Sequence, residues 1–236
     1  LGASIAFHLA QRRPGRVVLL EKSYLGAGAS GKSAALVHQS HRDPLTTALA
    51  RQSLPIFEHF ADRMGGSPVF WRTGMVQLFP HSDEAELKAR LDRQRELGIE
   101  VRPISDQELM EVDPNAHVAE DEVAAFEHTA GYVEAVQVVA SFAEAARREG
   151  ADIRQGVEVR GIRAERGKVV GVETNEGAYE CTRLVLATGA WAEQLPRSVN
   201  IELPVQAGRA QVALFRRPAD SGRRGVVFAD FVQGLY

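Results

Sequence analysis

The stretch LGASIAFHLAQRRPGRVVLLE, residues 1–21, joins a helix pattern directly to a strand pattern. Apolar and small residues recur at helical spacing over residues 2–12, which predicts a short helix that ends before a Pro-Gly pair. RVVLLE, residues 16–21, is a continuous apolar run closed by an acid, which is typical of a strand buried on both faces of a parallel sheet. A helix that leads into such a strand predicts an α/β layer.

Gly2 and Glu21 have the spacing of the last glycine and the acid of a dinucleotide-binding fingerprint. That fingerprint is a strand, G-x-G-x-x-G, a helix, a second strand and an acid about 20 residues on, whose carboxylate accepts hydrogen bonds from a ribose. Gly2 opens the predicted helix and Glu21 closes the next strand, while the first strand and the two earlier glycines are missing. The pattern favours a dinucleotide, and a solvated charge at a strand end is the alternative interpretation of Glu21.

A glycine-rich loop follows in YLGAGASGKSAALV, residues 24–37, and matches the G-x-x-x-x-G-K-[ST] pattern of a triphosphate-binding loop over Gly26–Ser33. Such a loop must start where its strand ends, because the amides of the next helix have to converge on the phosphates. Here the strand ends at Glu21, several residues before the loop. VVFAD, ending at Asp230, is a possible magnesium-binding strand. A nucleotide hydrolase therefore remains the less favoured alternative.

The segment from residue 134 onwards continues the α/β pattern. EAVQVVASFAEAARREG, residues 134–150, predicts a helix that Gly150 ends. Residues 152–190 read as short strands separated by turns, the pattern of a β-meander of close hairpins. RLVLATGAWA, residues 183–192, predicts a buried strand that runs into small residues, where a ligand's phosphates can approach the backbone.

The middle of the chain has a different texture. It predicts a helix over residues 45–64 with a kink at Pro55, and a two-stranded hairpin in VFWRTGMVQLF, residues 69–79. Ser105 and Glu108 have the spacing of a helix capping box. Together with the flanking patterns, these elements predict two interleaved domains.

Composition excludes several classes of protein. The 236 residues contain 28 basic and 31 acidic side chains, without a dense basic run, so we expect a small-molecule partner and no nucleic acid. One cysteine, Cys181, allows no internal disulfide and predicts a reducing, cytoplasmic setting. No apolar run approaches the roughly 18 residues of a membrane span. The sequence begins without methionine, so an upstream segment is expected.

The ordered combination of LGASIAFHLA, VVLLEKSYLGAGASGKSAALV, GYVEA, VEVRGIRAERGKVVGVETNEG, LVLATGAWAEQL and LPVQAGRAQ resembles the FAD-dependent D-amino-acid oxidase and sarcosine oxidase superfamily over nearly the whole chain. The resemblance implies a Rossmann-like FAD-binding domain with a central parallel sheet and β-meander, interleaved with an α+β substrate domain of mixed or antiparallel sheet. It assigns residues 1–64 and 131–195 to the first domain, and 65–130 and 196–236 to the second. Relative to the family, the chain is expected to be truncated at both ends.

The resemblance also implies the cofactor, FAD, and the residues that bind it. The acid at the end of the first strand binds the adenosine ribose, and small residues of the glycine-rich loop line the pyrophosphate. The backbone of the residue that matches Val159 contacts adenine, and the ATGAW segment closes over the cofactor. The positions that match these roles, in chain order, are Gly2, Glu21, Lys22, Ser30, Gly31, Ser33, Val159, Ala187, Thr188, Gly189 and Trp191.

The chemistry implied by the resemblance is hydride transfer from the carbon next to an amine to flavin N5. Similar sarcosine oxidases carry two arginines where this chain has Ala35 and His38, so sarcosine itself is not the expected substrate. His38, His41 and Arg42 are the candidates for lining the active site, and a solvated polar face is their alternative interpretation. With Asp43, the two histidines make a poor metal site, and we predict no metal.

Several points stay open. The substrate is a small amine or amino acid of the N-methyl or D-amino-acid type, and the electron acceptor is oxygen or a carrier protein. A non-catalytic fragment or subunit that keeps the FAD-binding fold is the alternative from a different class of function.

Overall fold

The computed structural model describes residues 1–13, 15–66, 70–213, 215–216 and 225–235. The helices are α1 Gly2–Arg12, α2 Pro44–Glu58, α3 Phe60–Met64, α4 Glu84–Glu96, α5 Asp106–Val112, α6 Ala135–Arg148 and α7 Gln194–Arg197. The strands are β1 Val18–Glu21, β2 Leu36–Val37, β3 Phe70–Arg72, β4 Met75–Pro80, β5 Val101–Ile104, β6 Glu122–Glu127, β7 Gly131–Val133, β8 Asp152–Gln155, β9 Val159–Glu165, β10 Lys168–Thr174, β11 Gly177–Glu180 and β12 Val227–Asp230.

Two compact units divide the chain. The first contains Leu1–Ser33, Met64–Gly66 and Ala135–Ala213, and the second contains Ala34–Arg63 with the described residues of Ser67–Glu134 and Leu214–Tyr236. Compared with the domains expected from the sequence, residues 34–63 and 131–134 lie in the second unit, and residues 65–66 and 196–213 lie in the first. The assignment of one domain to cofactor and the other to substrate stays a prediction.

The first unit is built on a parallel strand pair and a helix pair. β1 pairs with β8 in parallel, with Val18 opposite Asp152 and Glu21 opposite Gln155. α1 packs on α6 through buried alanines and through the rings of Phe7 and Phe142, whose centroids lie 5.9 Å apart. β9, β10 and β11 form the predicted antiparallel meander. These features confirm the α/β class, with a parallel sheet and a meander in one unit.

The buried strand predicted at residues 183–188 does not form. These residues carry no strand assignment, and Val185 is 55% exposed. In the described part of the chain β1 pairs only with β8, and none of the described strands pairs with residues 184–187. An apolar run without a paired strand cannot complete a ladder. Leu184 and Leu186 instead line an apolar cleft of about 280 Å³.

The second unit contains two sheets. β12, β4, β6 and β5 form a mixed four-stranded sheet in that order, with β12 parallel to β4, and β2, β7 and β3 form an antiparallel three-stranded sheet. Met75 to Phe79 of β4 are all buried, because hydrophobic clusters cover both faces of this strand. The mixed sheet confirms the fold expected for the second domain.

One local prediction for this unit is wrong, and a second is confirmed only in part. The expected hairpin at residues 69–79 is not one hairpin, because β3 and β4 belong to different sheets and Gly74 donates its amide to the carbonyl of Ala130. The helix expected over residues 45–64 is present as two consecutive helices, α2 and α3, which are interrupted at His59 rather than at Pro55. By contrast, the Ser105–Glu108 capping box at the start of α5 is confirmed.

Among the described residues, no helix combines the length and apolar character required to cross a membrane.

Candidate cofactor and substrate sites

Gly2 lies where three segments of the first unit meet. α1 begins there with no side-chain cap and no acidic residue in its first turn. The free N–H groups of a helix start attract anions. A Cβ atom on Gly2 would lie 3.7 Å from Ala187 Cβ and 3.7 Å from Leu19 Cδ1. The helix start, β1 and the segment before Thr188 therefore converge on one anion-attracting position.

Glu21 ends β1 and is fixed by its neighbours in the chain and by a distant loop. Its Oε1 accepts the amide of Ser23 at 2.8 Å, and its carbonyl accepts the amide of Val157 at 3.0 Å. Ser23 in turn accepts the amide of Gly156 at 3.1 Å. These bonds hold residues 156–157 beside the strand end, and Val159 starts β9 two residues further on.

The turn at residues 187–191 is linked to the end of β1. Gly189 has a φ of +55°, and Gly189–Trp191 is a 3₁₀ turn in which the amide of Trp191 bonds to the carbonyl of Thr188 at 3.1 Å. The ammonium of Lys22 lies 4.0 Å from the Trp191 ring centroid, a cation–π contact. Thr188 Oγ1 is buried and has no hydrogen-bond partner among the described residues.

The glycine-rich loop folds on itself. Gly31 donates its amide to the carbonyl of Gly26 at 3.1 Å, and a Cβ atom on Gly31 would overlap that carbonyl oxygen. The 3₁₀ turn Ala29–Lys32 contains Ser30, and the amide of Ser33 bonds to the Ser30 carbonyl at 3.4 Å. The amides of Gly31 and Ser33 are therefore bonded within the loop itself.

Asp230, the possible magnesium ligand of the sequence pattern, is bonded within its own turn. It ends β12 in the second unit. Its Oδ1 accepts the amides of Val232 and Gln233, each at 2.9 Å. The carboxylate thus closes a local turn after the strand.

His38 and His41 are brought together in the second unit. Their ring centroids lie 4.1 Å apart, and His41 Nε2 is 3.2 Å from the carbonyl oxygen of His38. Burial, and then the nearby His41, lower the pKa of His38 to about 4, and burial also lowers the pKa of His41. Both rings are therefore neutral at pH 7. A neutral ring at position 38 cannot replace the charge of an arginine.

The ion pair of Arg42 and the hydrogen bonds of Asp43 are made with residues outside the histidine pair. The Arg42 side chain is 71% exposed, and its guanidinium forms an ion pair with Glu86 at 3.8 Å. Asp43 caps α2, accepting the amide of Thr46 at 2.7 Å and its hydroxyl at 2.6 Å. Within the described ranges, no three His, Cys, Asp or Glu side chains are grouped as a metal site would require.

Sequence reasoning missed Glu127, the last residue of β6. This carboxylate is completely buried and accepts the backbone amides of Gln39 at 2.7 Å and Ser40 at 2.9 Å. Burial raises the pKa of its carboxyl group, and the hydrogen bonds from residues 39 and 40 oppose that shift. The signal in the sequence was a single acid at the end of the apolar run VAAF, which is too common to interpret.

Comparison with known proteins identifies the family. Residues 1–235 match the DAO family, described as FAD dependent oxidoreductase. The chain therefore belongs to this family of FAD-dependent enzymes, and FAD is the cofactor of the class.

Two relatives within this family are similar to the chain over most of its length. The chain is 28% identical over 220 residues to human peroxisomal sarcosine oxidase, covering 91% of this chain and 54% of the relative. It is 30% identical over 227 residues to the glycine oxidase of Geobacillus kaustophilus, covering 92% and 59% respectively. The chain thus spans little more than half the length of these relatives.

A solved structure supports the fold alone. The crystal structure of L-proline dehydrogenase from P. horikoshii matches 99% of this chain and 62% of its own chain, with a TM-score of 0.85 and 23% identity.

Proposed function

We propose that the whole protein oxidises the C–N bond of a small amine or amino acid, of the N-methyl or D-amino-acid type, with FAD as cofactor. The observation that carries this proposal is the meeting of Gly2, Leu19 and Ala187 at one helix start, the place where a dinucleotide pyrophosphate binds. The names of the relatives, a sarcosine oxidase and a glycine oxidase, support the substrate class.

The residues around that helix start fit FAD. Glu21 would bind the adenosine ribose with Lys22 beside it, and the backbone at Val159 would contact adenine. The buried Thr188 Oγ1 supports the assignment, because a buried hydroxyl ordinarily has a hydrogen-bond partner and a bound oxygen would provide one. The remaining proposed contacts are Gly2, Ser30, Gly31, Ser33, Ala187, Gly189 and Trp191.

The substrate side is assigned to His38, His41 and Arg42. When bound, FAD supplies the hydride acceptor for the carbon next to the amine, and water hydrolyses the resulting imine. With a pKa of about 4, His38 is too weak a base to deprotonate an ammonium group, so it would orient the amine through a hydrogen bond. Arg42 is the cation of the three and would hold the carboxylate of an amino-acid substrate.

Replacing Glu21 tests the cofactor assignment. In the full-length protein, Glu21→Ala should raise the Kd for FAD by about 10- to 100-fold, because a hydrogen bond to a charged group contributes roughly 1.5–3 kcal/mol. The exposed Glu176→Ala is the matched control and should leave the Kd unchanged. Flavin fluorescence during titration gives both constants. An unchanged Kd in Glu21→Ala would remove the ribose contact from the proposal.

Anaerobic mixing with substrates tests the activity. We expect the flavin absorbance to bleach with an N-methyl or D-amino acid. Tight FAD binding without bleaching by any of them would favour a non-catalytic subunit instead. Stoichiometric hydrogen peroxide in air would identify oxygen as the acceptor, and its absence would indicate a carrier protein.

We also propose a cytoplasmic location, which the single cysteine supports.

A further inference from the structure

The backbone of the His38–His41 turn is bonded to one carboxylate. Glu127 accepts two consecutive backbone amides of this turn, those of Gln39 and Ser40, although the residues are 88 and 87 positions apart in the sequence. The side chain of Glu127 has no solvent exposure. One buried group therefore fixes the backbone between the two histidines.

Side chains around the turn complete this arrangement. Gln39 Nε2 donates to Thr129 Oγ1 at 3.0 Å, and Ser40 Oγ donates to Gln94 Oε1 at 2.8 Å. Gln94 Nε2 then donates to the carbonyl of His41 at 3.0 Å. Gln39, Ser40 and Gln94 are each at most 5% exposed. The backbone on both sides of Ser40 is consequently bonded to the sheet and to α4.

We propose that Glu127 is a positioning residue for the substrate site, which holds the His38–His41 turn so that both imidazole rings keep one fixed orientation. The effect on catalysis rests on the proposed function, which assigns His38 and His41 to the substrate site. Burying a carboxylate carries a large desolvation penalty, which bonds to two main-chain amides offset only when the geometry is good. An apolar side chain could fill the same space, but it would leave both amides without an acceptor.

The orientation has a measurable consequence at His38. Its ring is buried, and the charged or titratable groups that face the pair are His41 itself and, next to His41, Asp43. If the turn loosens, His38 gains solvent and its pKa rises from about 4 towards 6.5.

The test compares Glu127→Gln with Glu111→Gln, an exposed glutamate on α5, in the full protein. Glutamine has one acceptor oxygen and an NH₂ group, so one of the two amides would face a donor. NMR titration should show the His38 pKa raised by about one unit or more in Glu127→Gln and unchanged in Glu111→Gln. An unchanged His38 pKa in a folded Glu127→Gln protein would overturn the proposal.

Kinetics separate positioning from a purely structural role. With the substrate that bleaches the flavin, kcat/KM should fall about tenfold in Glu127→Gln, since small misplacements of orienting groups are costly, while the Kd for FAD is unchanged. A parallel loss of FAD affinity and melting temperature would instead indicate a general structural role and contradict the proposal.

A measurement on the wild-type protein covers the case in which Glu127→Gln does not fold. The amides of Gln39 and Ser40 should exchange with solvent roughly a thousandfold more slowly than in an unstructured peptide. Rapid exchange of both amides would refute the inference. Neither this measurement nor the histidine titration requires FAD or substrate, so failure of the proposed function would leave their outcome unaffected.

Discussion

Glu21 and Glu127 each end a strand and each accept backbone amides, yet they are anchored in opposite ways. Glu21 ends β1 in the first unit, and its carboxylate bonds to Ser23, two residues away. Glu127 ends β6 in the second unit, is fully buried, and bonds to amides 87 and 88 residues away. Glu21 belongs to a local sequence pattern, whereas the contacts of Glu127 form only when distant segments of the chain come together in the fold.

This difference shows which kind of site a sequence can reveal. A ribose-binding acid at a strand end follows from the order glycine, helix, strand, acid, because the parallel pairing leaves the strand end beside the helix start. A buried carboxylate that fixes a turn has no such local order. Its partners are main-chain groups, which any residue type supplies.

The largest expected effect is a loss of stability in the second unit, at Gly131. A Cβ atom on Gly131 of β7 would overlap the carbonyl oxygen of Trp71 in β3. Gly131→Ala should lower the free energy of unfolding by about 3 kcal/mol or more, because neither backbone can move without breaking the sheet. The control is Gly161→Ala in β9 of the first unit, whose nearest atom would be 3.9 Å away. Urea denaturation of both variants measures the contrast, and equal stabilities would contradict it.

The next effect concerns acid stability and His38. Its folded pKa of about 4 lies below the ordinary 6.5, so between these pH values the unfolded chain binds a proton that the folded protein does not. Stability from this ring is therefore complete above pH 6.5 and is lost as the pH falls towards 4. The wild-type protein should therefore lose more unfolding free energy between pH 7 and pH 4.5 than His38→Gln does, by about 2 kcal/mol. This value follows from roughly 1.4 kcal/mol per pKa unit, reduced because the ring is partly exposed.

The same titration in the exposed Gln52→Ala variant is the control, since it removes no titrating group. His41 shifts in the same direction as His38 but is present in both proteins. An identical acid dependence of wild type and His38→Gln would mean that the ring is solvated, and the His38–His41 turn would then not be the ordered feature that we describe.

A smaller effect is expected beside Glu21 in the first unit. Asn175 accepts the amide of Glu158 at 2.7 Å and donates to the carbonyl of Gly156 at 3.0 Å, which holds the loop that contacts the end of β1. Asn175→Ala should cost about 1 kcal/mol of stability, the usual net value of such bonds at an exposed site. The neighbouring Glu176→Ala should cost less than about 0.5 kcal/mol. Thermal unfolding followed by circular dichroism distinguishes them, and equal losses would show that the loop is held by other contacts.

The smallest effect is expected at Lys32, which separates the two interpretations of the glycine-rich loop. Lys32→Ala should change neither the free energy of FAD binding nor the free energy of unfolding by more than about 0.5 kcal/mol, as for most exposed side chains. Phosphate release from ATP is the contrary measurement. If the wild-type protein releases phosphate and Lys32→Ala does not, the loop serves a triphosphate after all.

Much of the first unit was readable from the sequence, and the exceptions have physical causes. The α1–β1 order, the meander and, in the second unit, the capping box of α5 depend on contacts between near neighbours, so spacing alone predicts them. The strand expected at residues 183–188 depends on a partner strand, and none of the described strands pairs with it. The hairpin at residues 69–79 failed because a two-residue turn cannot reveal that its strands join different sheets.

The sequence by itself determined the order of elements around Gly2 and Glu21, because that order depends on residue types at short, regular spacing. It also carried the resemblance that implied the family and the cofactor class. Only the tertiary structure decided that Ala187 meets Gly2, that His38 and His41 lie together as neutral rings, and that Glu127 accepts the amides between them. Burial and long-range hydrogen bonds create those features. Both arise from the folding of segments tens of residues apart, which no local pattern records.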